Sequence, residues 1–351
     1  MKYVLAVLFS AFAALGSLAS ASAGEATSKS LVVIDTGFDT TLPSISTSLI
    51  FEACTMAWSN CPNGQNFQEG SGAATLPTSL WRLGGFAHGT EMASIAVSNY
   101  PEIRLVLIRL IAASSNGTRL PTNETGVAQA LDWVLVNQSK FSIGAVAMAQ
   151  GHHNLGYEKS YCPRTPSVQK KIKTLKDLGV PLFLPAGNAG DKSKIDWPAC
   201  LPESVAIGAI DDKGQIASYS NMDRLLSDFY TVGRMQTTLP GGATSSSTGT
   251  SISTLVAASN WVRVQNLYPN LGYQEIFQLF RGTGKIVFDS KYRYGRAIDM
   301  DAMLQFLQES ADFDKAYTLI FRKSGQNLLS NLYLIFFLPF VVYYSSFKSR
   351  I

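Results

Sequence analysis

The chain has 351 residues, enough for one large α/β domain or two modest ones, and 46% hydrophobic against 15% charged residues fits a sizeable core. The formal net charge is only +4. No Lys/Arg run and no basic stripe with interleaved aromatics occurs, which argues against nucleic acid as a partner.

Residues 1–23 carry the pattern of a signal peptide: Lys2, the apolar stretch "YVLAVLFSAFAALGSLA", and the small residues Ala21, Ser22 and Ala23 at the cleavage position. The mature chain is expected to begin near Gly24 and to be exported, to the periplasm, the cell surface or the medium. "LVVID" (31–35) reads as a buried strand. Cys54 and Cys61 follow in a loop rich in Asn, Gly and Gln. "HGTEMASIAVSN" (88–99) starts with a turn and continues at helical spacing, and "RLVLIRLIA" (104–112) reads as a strand. "ETGVAQALDWVLVNQS" (124–139) is an amphipathic helix, "IGAVAMA" (143–149) a strand, and "PSVQKKIKTLKDLG" (166–179) a helix ended by Gly179. "VPLFLPAGN" (180–188) is a strand running into a Gly-bounded turn, "SVAIGAI" (204–210) another strand, and "SISTLVAASNWVRVQNL" (251–267) a long helix. The tail holds "LLSNLYLIFFLPFVVYYSSF" (328–347), 20 residues without a charge, followed by Lys348 and Arg350. That length meets the requirement for a membrane span, although Pro339, Asn331 and the preceding Arg322-Lys323 weaken the case. The expected division is a signal peptide over 1–23, a catalytic domain over 24–309 and an extension over 310–351, with a possible anchor at 328–347.

Four cysteines in an oxidising compartment suggest two disulfides. Of three possible pairings, Cys54–Cys61 with Cys162–Cys200 is favoured because the first pair is local. No pair has zinc-site spacing, and His152-His153 is too isolated to suggest a metal site. Sequons occur at Asn116, Asn123 and Asn137.

Strand–helix alternation with continuous apolar strands implies a mostly parallel sheet covered by helices on both faces. The working site of such a sheet lies at the carboxyl ends of its strands. Four motifs fall there: "VIDTGFD" with Asp35, "FAHGTEMAS" with His88, "LPAGNAG" with Asn188 and "TGTSISTLVAA" with Ser251. Acyl transfer needs a nucleophile, a base, a carboxylate to orient the base and donors for the oxyanion. Ser251 opens a helix, where free N–H groups and the helix dipole favour negative charge. Asp35 sits in a "DTG" triplet, which aspartic proteases also use, but those enzymes need a second Asp-bearing copy and none is present.

With these motifs in the order Asp, His, Asn, Ser, the chain resembles the subtilisin-like serine proteases, or subtilases, for which the order Asp, His, Ser is known. The resemblance spans roughly 31–305 and includes "WPACLPESVAIGAIDDKGQIASYSN" (197–221) and the closing "YRYGRAIDMDAML" (292–304). It implies a three-layer α/β fold and a serine endopeptidase acting on protein or peptide substrates through an acyl-enzyme. In that reading Ser251 is the nucleophile, His88 the base and then acid, Asp35 the orienting carboxylate, and the Asn188 side chain and Ser251 N–H form the oxyanion hole. "AMAQG" (147–151), with Ala149 and Gly151, would pair with the substrate backbone, and Ala186 and Gly187 would line the primary specificity pocket. Asp196 aligns with the wall of that pocket, where a carboxylate would favour Lys or Arg before the scissile bond; the alternative is a surface carboxylate paired with Lys192 or Lys194.

Several features depart from the family. About seven residues separate the expected cleavage site from the strand bearing Asp35, where secreted members of the family usually carry a propeptide that assists folding. "TSISTL" replaces the usual "TSMA[TS]P", and Glu91 and Ser94 occupy unusual positions in "HGTEMAS". No cofactor is expected; calcium is possible from the resemblance, but no Asp-rich calcium loop is seen. The chain is expected to act as a monomer. The alternatives on the same fold are a weak or inactive relative that binds peptides, and an acyl transferase or peptide cyclase.

Overall fold

β1 (Ser30–Asp35) is buried along its whole length because helices cover both of its faces. Leu31 and Val33 point into one layer, with Met92, Ile95, Leu255, Trp261 and Phe280. Val32 and Ile34 point into the other, with Val127, Leu131, Val134, Ile172 and Leu175. The period-2 alternation of one strand therefore builds two cores, and the sheet lies between them. These coordinates come from a computed structural model, which describes residues 28–310 apart from 59, 84, 153–161, 163–164 and 292. The expected signal peptide, the 328–347 segment and His153 lie outside the described residues.

After β1 come α1 (Pro43–Ser46), β2 (Leu49–Thr55), β3 (Phe67–Glu69), α2 (His88–Asn99), β4 (Arg104–Arg109), α3 (Glu124–Asn137) and β5 (Ile143–Met148). The chain continues with α4 (Pro166–Asp177), β6 (Leu182–Pro185), β7 (Val205–Ile210), β8 (Phe229–Val232), β9 (Arg234–Thr238) and β10 (Thr244–Thr248). It closes with α5 (Thr250–Leu267), α6 (Tyr273–Thr283), β11 (Lys285–Phe288), β12 (Tyr294–Ala297) and a helix over 300–310. The main sheet runs β11-β12-β8-β7-β6-β5-β1-β4-β2-β3, and β9 and β10 form a separate hairpin. Pairing in the main sheet is parallel except at its two ends, β2 with β3 and β11 with β12.

Local chemistry sets the helix ends. The Asn123 side chain accepts from Gly126 N at 2.9 Å and caps α3. Pro166 opens α4, and Gly179, at φ +79°, turns the chain into the next strand. The strands expected at 104–112, 143–149, 180–188 and 204–210 and the helices at 88–99, 124–139, 166–179 and 251–267 all form, with no end moved by more than three residues. Cys54 belongs to β2 rather than to a loop, and it is bridged to Cys61; Cys162 is bridged to Cys200. Two disulfides fit an oxidising compartment. Among the described residues no helix is long and apolar enough to cross a membrane.

The sequence order of the strands reverses around β1: β4 and β2 lie on one side, β5 to β8 on the other. A parallel sheet opens a crevice outside the carboxyl ends of its strands at such a switch point. Asp35 ends β1, and the segment 149–151 follows β5, so both face that crevice.

Candidate active site

The site begins with two interlocked turns. Thr36, directly after β1, accepts from Gly89 N at 2.9 Å and donates to Phe86 O at 2.8 Å. Asp39 N donates to Thr90 Oγ1 at 2.9 Å. A Cβ on Gly89 would lie 2.3 Å from the carbonyl oxygen of Gly37, so only glycine lets α2 approach this closely. The first turn of α2 is thereby locked against the end of β1. His88 Nδ1 comes 2.8 Å from Asp35 Oδ1, with Asp35 fully buried and His88 partly open to solvent. Asp35 Oδ1 also accepts from Thr36 N at 2.7 Å. These bonds hold the imidazole with Nδ1–H directed at Asp35 and leave Nε2 on the far side of the ring.

Opposite lies the start of α5. Gly249 precedes it, Thr250 and Ser251 form its first turn, and the Ser251 N–H belongs to the donors that a helix cannot satisfy internally. Asn188 Oδ1 accepts from Thr250 N at 2.8 Å and from Thr250 Oγ1 at 3.0 Å. With its oxygen held twice, the amide must present Nδ2 outward as a donor. Thr250, fully buried, also accepts from Gly187 N at 3.2 Å. Ser251 Oγ donates to Ala149 O at 3.4 Å, and no hydrogen bond joins it to His88. The next residue, Gln150, comes 3.1 Å from His88 Nδ1 through its amide nitrogen. Ser251 and His88 therefore both border the 149–150 dipeptide. Hydrogen bonds between nucleophile and base are commonly long in unliganded sites and tighten on binding. Ser253 and Thr254 turn away: Ser253 Oγ donates to Thr231 O and Val232 O, and Thr254 Oγ1 to Thr250 O.

The expected specificity residues also meet. Asp196 N donates to Ala186 O at 2.8 Å. A Cβ on Gly187, at φ +109°, would lie 2.3 Å from Asp196 Oδ2, and one on Gly151 would lie 3.9 Å from Asp196 Cβ. The half-buried Asp196 thus sits between the two glycines. Its Oδ1 accepts from Asn221 Nδ2 at 2.9 Å, while Asn221 Oδ1 accepts from Ala189 N and Asp191 N. The Lys192 ammonium turns elsewhere, to the carbonyls of Ala217 and Ser220. Burial holds Lys192 below its ordinary pKa, with Asp289 and Asp191 acting in the opposite sense.

The unusual residues of "HGTEMAS" acquire partners. Glu91 Oε1 accepts from Thr237 Oγ1 at 3.0 Å and from Ser247 Oγ. Ser94 Oγ accepts from Thr238 N at 3.0 Å and donates to Glu91 O at 2.7 Å. Both residues brace the β9–β10 hairpin, which leads directly into Gly249 and Ser251. Sequence reasoning missed Thr250, Asn221, Gln150 and Arg119. The one local signal was a polar Gln150 inside the otherwise small and apolar "AMAQG". Among the described residues no group of three or more His, Cys, Asp or Glu side chains is placed to hold a metal ion.

Comparison with known proteins agrees with this geometry. A family model described as the Subtilase family matches residues 28–295. The chain belongs to the subtilase family. Among curated subtilases and related proteases it is 28% identical over 150 residues to a cuticle-degrading serine protease of Arthrobotrys oligospora, covering 41% of this chain and 32% of that protein. It is 24% identical over 230 residues to subtilisin amylosacchariticus of Bacillus subtilis subsp. amylosacchariticus, covering 61% of this chain and 54% of the other. The chain therefore spans about half or less of the length of these relatives. A mutant form of the protease domain of PatA shares the fold, with a TM-score of 0.62 and 17% identity over 80% of this chain and 96% of that one.

Proposed function

We propose that this subtilase is an exported serine endopeptidase that hydrolyses peptide bonds through an acyl-enzyme. The observation that carries the reading is the 2.8 Å contact of His88 Nδ1 with the buried Asp35 carboxylate, facing a helix-opening serine and an amide whose donor is turned outward. Ser251 Oγ attacks the scissile carbonyl as His88 Nε2 takes its proton. The resulting oxyanion is received by Asn188 Nδ2 and the Ser251 N–H. The imidazolium, steadied by Asp35, gives its proton to the leaving amine, and the C–N bond breaks. Water then repeats the sequence on the acyl-enzyme: His88 takes a proton from water, hydroxide adds, and Ser251 leaves with that proton. Residues 149–151 bind the substrate backbone in this reading. No step requires a metal or an organic cofactor.

The same proposal assigns Asp196 to the wall of the pocket for the residue before the scissile bond. Its placement between Gly151 and Gly187 supports a preference for Lys or Arg there. Chromogenic peptides ending in Arg, Lys, Phe and Leu test both levels. Hydrolysis that disappears in Ser251→Ala supports the endopeptidase, and its absence from the wild-type protein sinks it. Faster cleavage after Arg and Lys, reversed by Asp196→Ala, supports the pocket assignment; equal rates reject it.

A further inference from the structure

Gln150 directly follows the residue whose carbonyl meets Ser251, and it is almost fully buried, 3% exposed. Its Nε2 donates to Asp35 Oδ1 at 2.7 Å. The amide cannot be turned over, because the Arg119 guanidinium donates to Oε1 from the other side. Asp35 Oδ1 thus receives three donors: Thr36 N, His88 Nδ1 and Gln150 Nε2, at 2.7, 2.8 and 2.7 Å. The other oxygen, Oδ2, is buried without a hydrogen-bond partner. An apolar side chain at 150 would leave His88 competing with the Thr36 amide alone.

We propose that Gln150, locked by Arg119, is a positioning residue that shares the Asp35 oxygen with His88, lowers the proton affinity of the imidazole and carries activity to lower pH. This rests on the reading of Asp35, His88 and Ser251 as a catalytic set. Three effects act in one direction. The Asp35 charge stabilises imidazolium, and each additional donor on the same oxygen weakens its hold on His88. With Nδ1 protonated, the 3.1 Å approach of the Gln150 amide nitrogen sets donor against donor, which is worse when the ring is cationic. The Arg119 charge stands behind the amide, close enough to Asp35 for the two to interact, and it disfavours a second cation nearby.

Charged groups on the neighbouring elements are engaged elsewhere, although Arg109 Nε is buried without a hydrogen-bond partner. Asp39, in the turn after β1, accepts from Thr41 and Gly241; Glu91, on the same helix as His88, accepts from Thr237 and Ser247; Arg109, on β4, is buried and donates to Thr75 O at 3.5 Å. Gln150 is the neutral side chain that reaches both Asp35 and His88.

The test is an NMR titration of His88 in the full chain, whose three histidines keep the imidazole spectrum short. Wild type, Gln150→Leu and Arg119→Met are compared, with melting curves for each. In Gln150→Leu the His88 midpoint is expected to rise by about half a pH unit or more, the scale of one neutral hydrogen bond. The acidic limb of kcat/KM should move with it. Arg119→Met, which frees the amide to rotate and removes the cation, should raise the midpoint as well, and it decides the matter if Gln150→Leu does not fold. A midpoint that stays or falls overturns the proposal. The titration needs no turnover, so an inactive wild-type protein would refute the proposed function while leaving the effect of Gln150 on His88 to be judged separately.

Discussion

Replacing Asn188 by Ala and, separately, Thr250 by Val should divide catalysis from stability. Asn188 is exposed, and its amide oxygen takes two bonds from Thr250 while the outward nitrogen has only the reaction's oxyanion to serve. Removing that donor should lower kcat by about 10²–10³ with little change in KM, a scale that comes from the corresponding substitution in subtilisin, a member of the same family. Some stability should be lost as well, about 1–3 kcal/mol, because the buried Thr250 N–H and hydroxyl lose their acceptor, so kcat is compared on folded protein. Thr250→Val behaves differently. The Thr250 hydroxyl is fully buried and accepts from Gly187 N at 3.2 Å, so valine strands a buried donor and costs about 1–3 kcal/mol of stability. The Asn188 oxygen keeps its bond to Thr250 N, so kcat should fall far less than in Asn188→Ala. Peptide hydrolysis and urea or thermal unfolding of both variants give the comparison. If Asn188→Ala keeps wild-type kcat, or if its loss follows unfolding rather than turnover, the oxyanion assignment is wrong.

Burial pushes the Asp228 carboxyl up to about 7 from an ordinary 3.8. The folded protein then holds a proton that the unfolded chain releases, so the contribution of this carboxyl to stability is greatest below about pH 4, falls as pH rises to about 7, and is level above that. The ceiling on this loss is about 4 kcal/mol, from about three pKa units at about 1.4 kcal/mol each. Asp228→Asn should therefore raise the melting temperature at pH 8 and leave it unchanged near pH 4; parallel melting curves at both pH values contradict the account. Glu91→Ala removes the acceptor that joins α2 to the β9–β10 hairpin, and should cost about 1–3 kcal/mol of stability and lower kcat/KM several-fold, with Glu91→Gln restoring part of both. Unchanged activity and melting in Glu91→Ala would show that the brace is idle.

The central strands were legible because burial on both faces demands unbroken apolar runs, as in "LVVID" and "IGAVAM". β2 was not, because Glu52 interrupts it; that carboxylate is buried and accepts from Gly72 N and Ala74 N, a compensation invisible from local sequence. β9 and β10 carry polar residues because much of the hairpin faces solvent and its buried Thr237 hydroxyl is satisfied by Glu91. The short strands β11 and β12 at one end of the sheet leave Ile286, Phe288 and Tyr294 exposed, which removes the usual alternation. Asp35, His88, Asn188 and Ser251 stood out as candidates because each sits in a short motif at a strand or helix end. Gln150 and Arg119 could not, since their partners come from 31 to 115 residues away and only the folded sheet brings them together.

Reaction of the full chain with a fluorophosphonate, mapped by mass spectrometry, tests the central claim most directly. The account predicts one modified residue, Ser251, with labelling abolished in Ser251→Ala and strongly slowed in His88→Ala while both variants remain folded. Labelling that is absent from the wild-type protein, lands on another serine, or proceeds unchanged without His88 would contradict it.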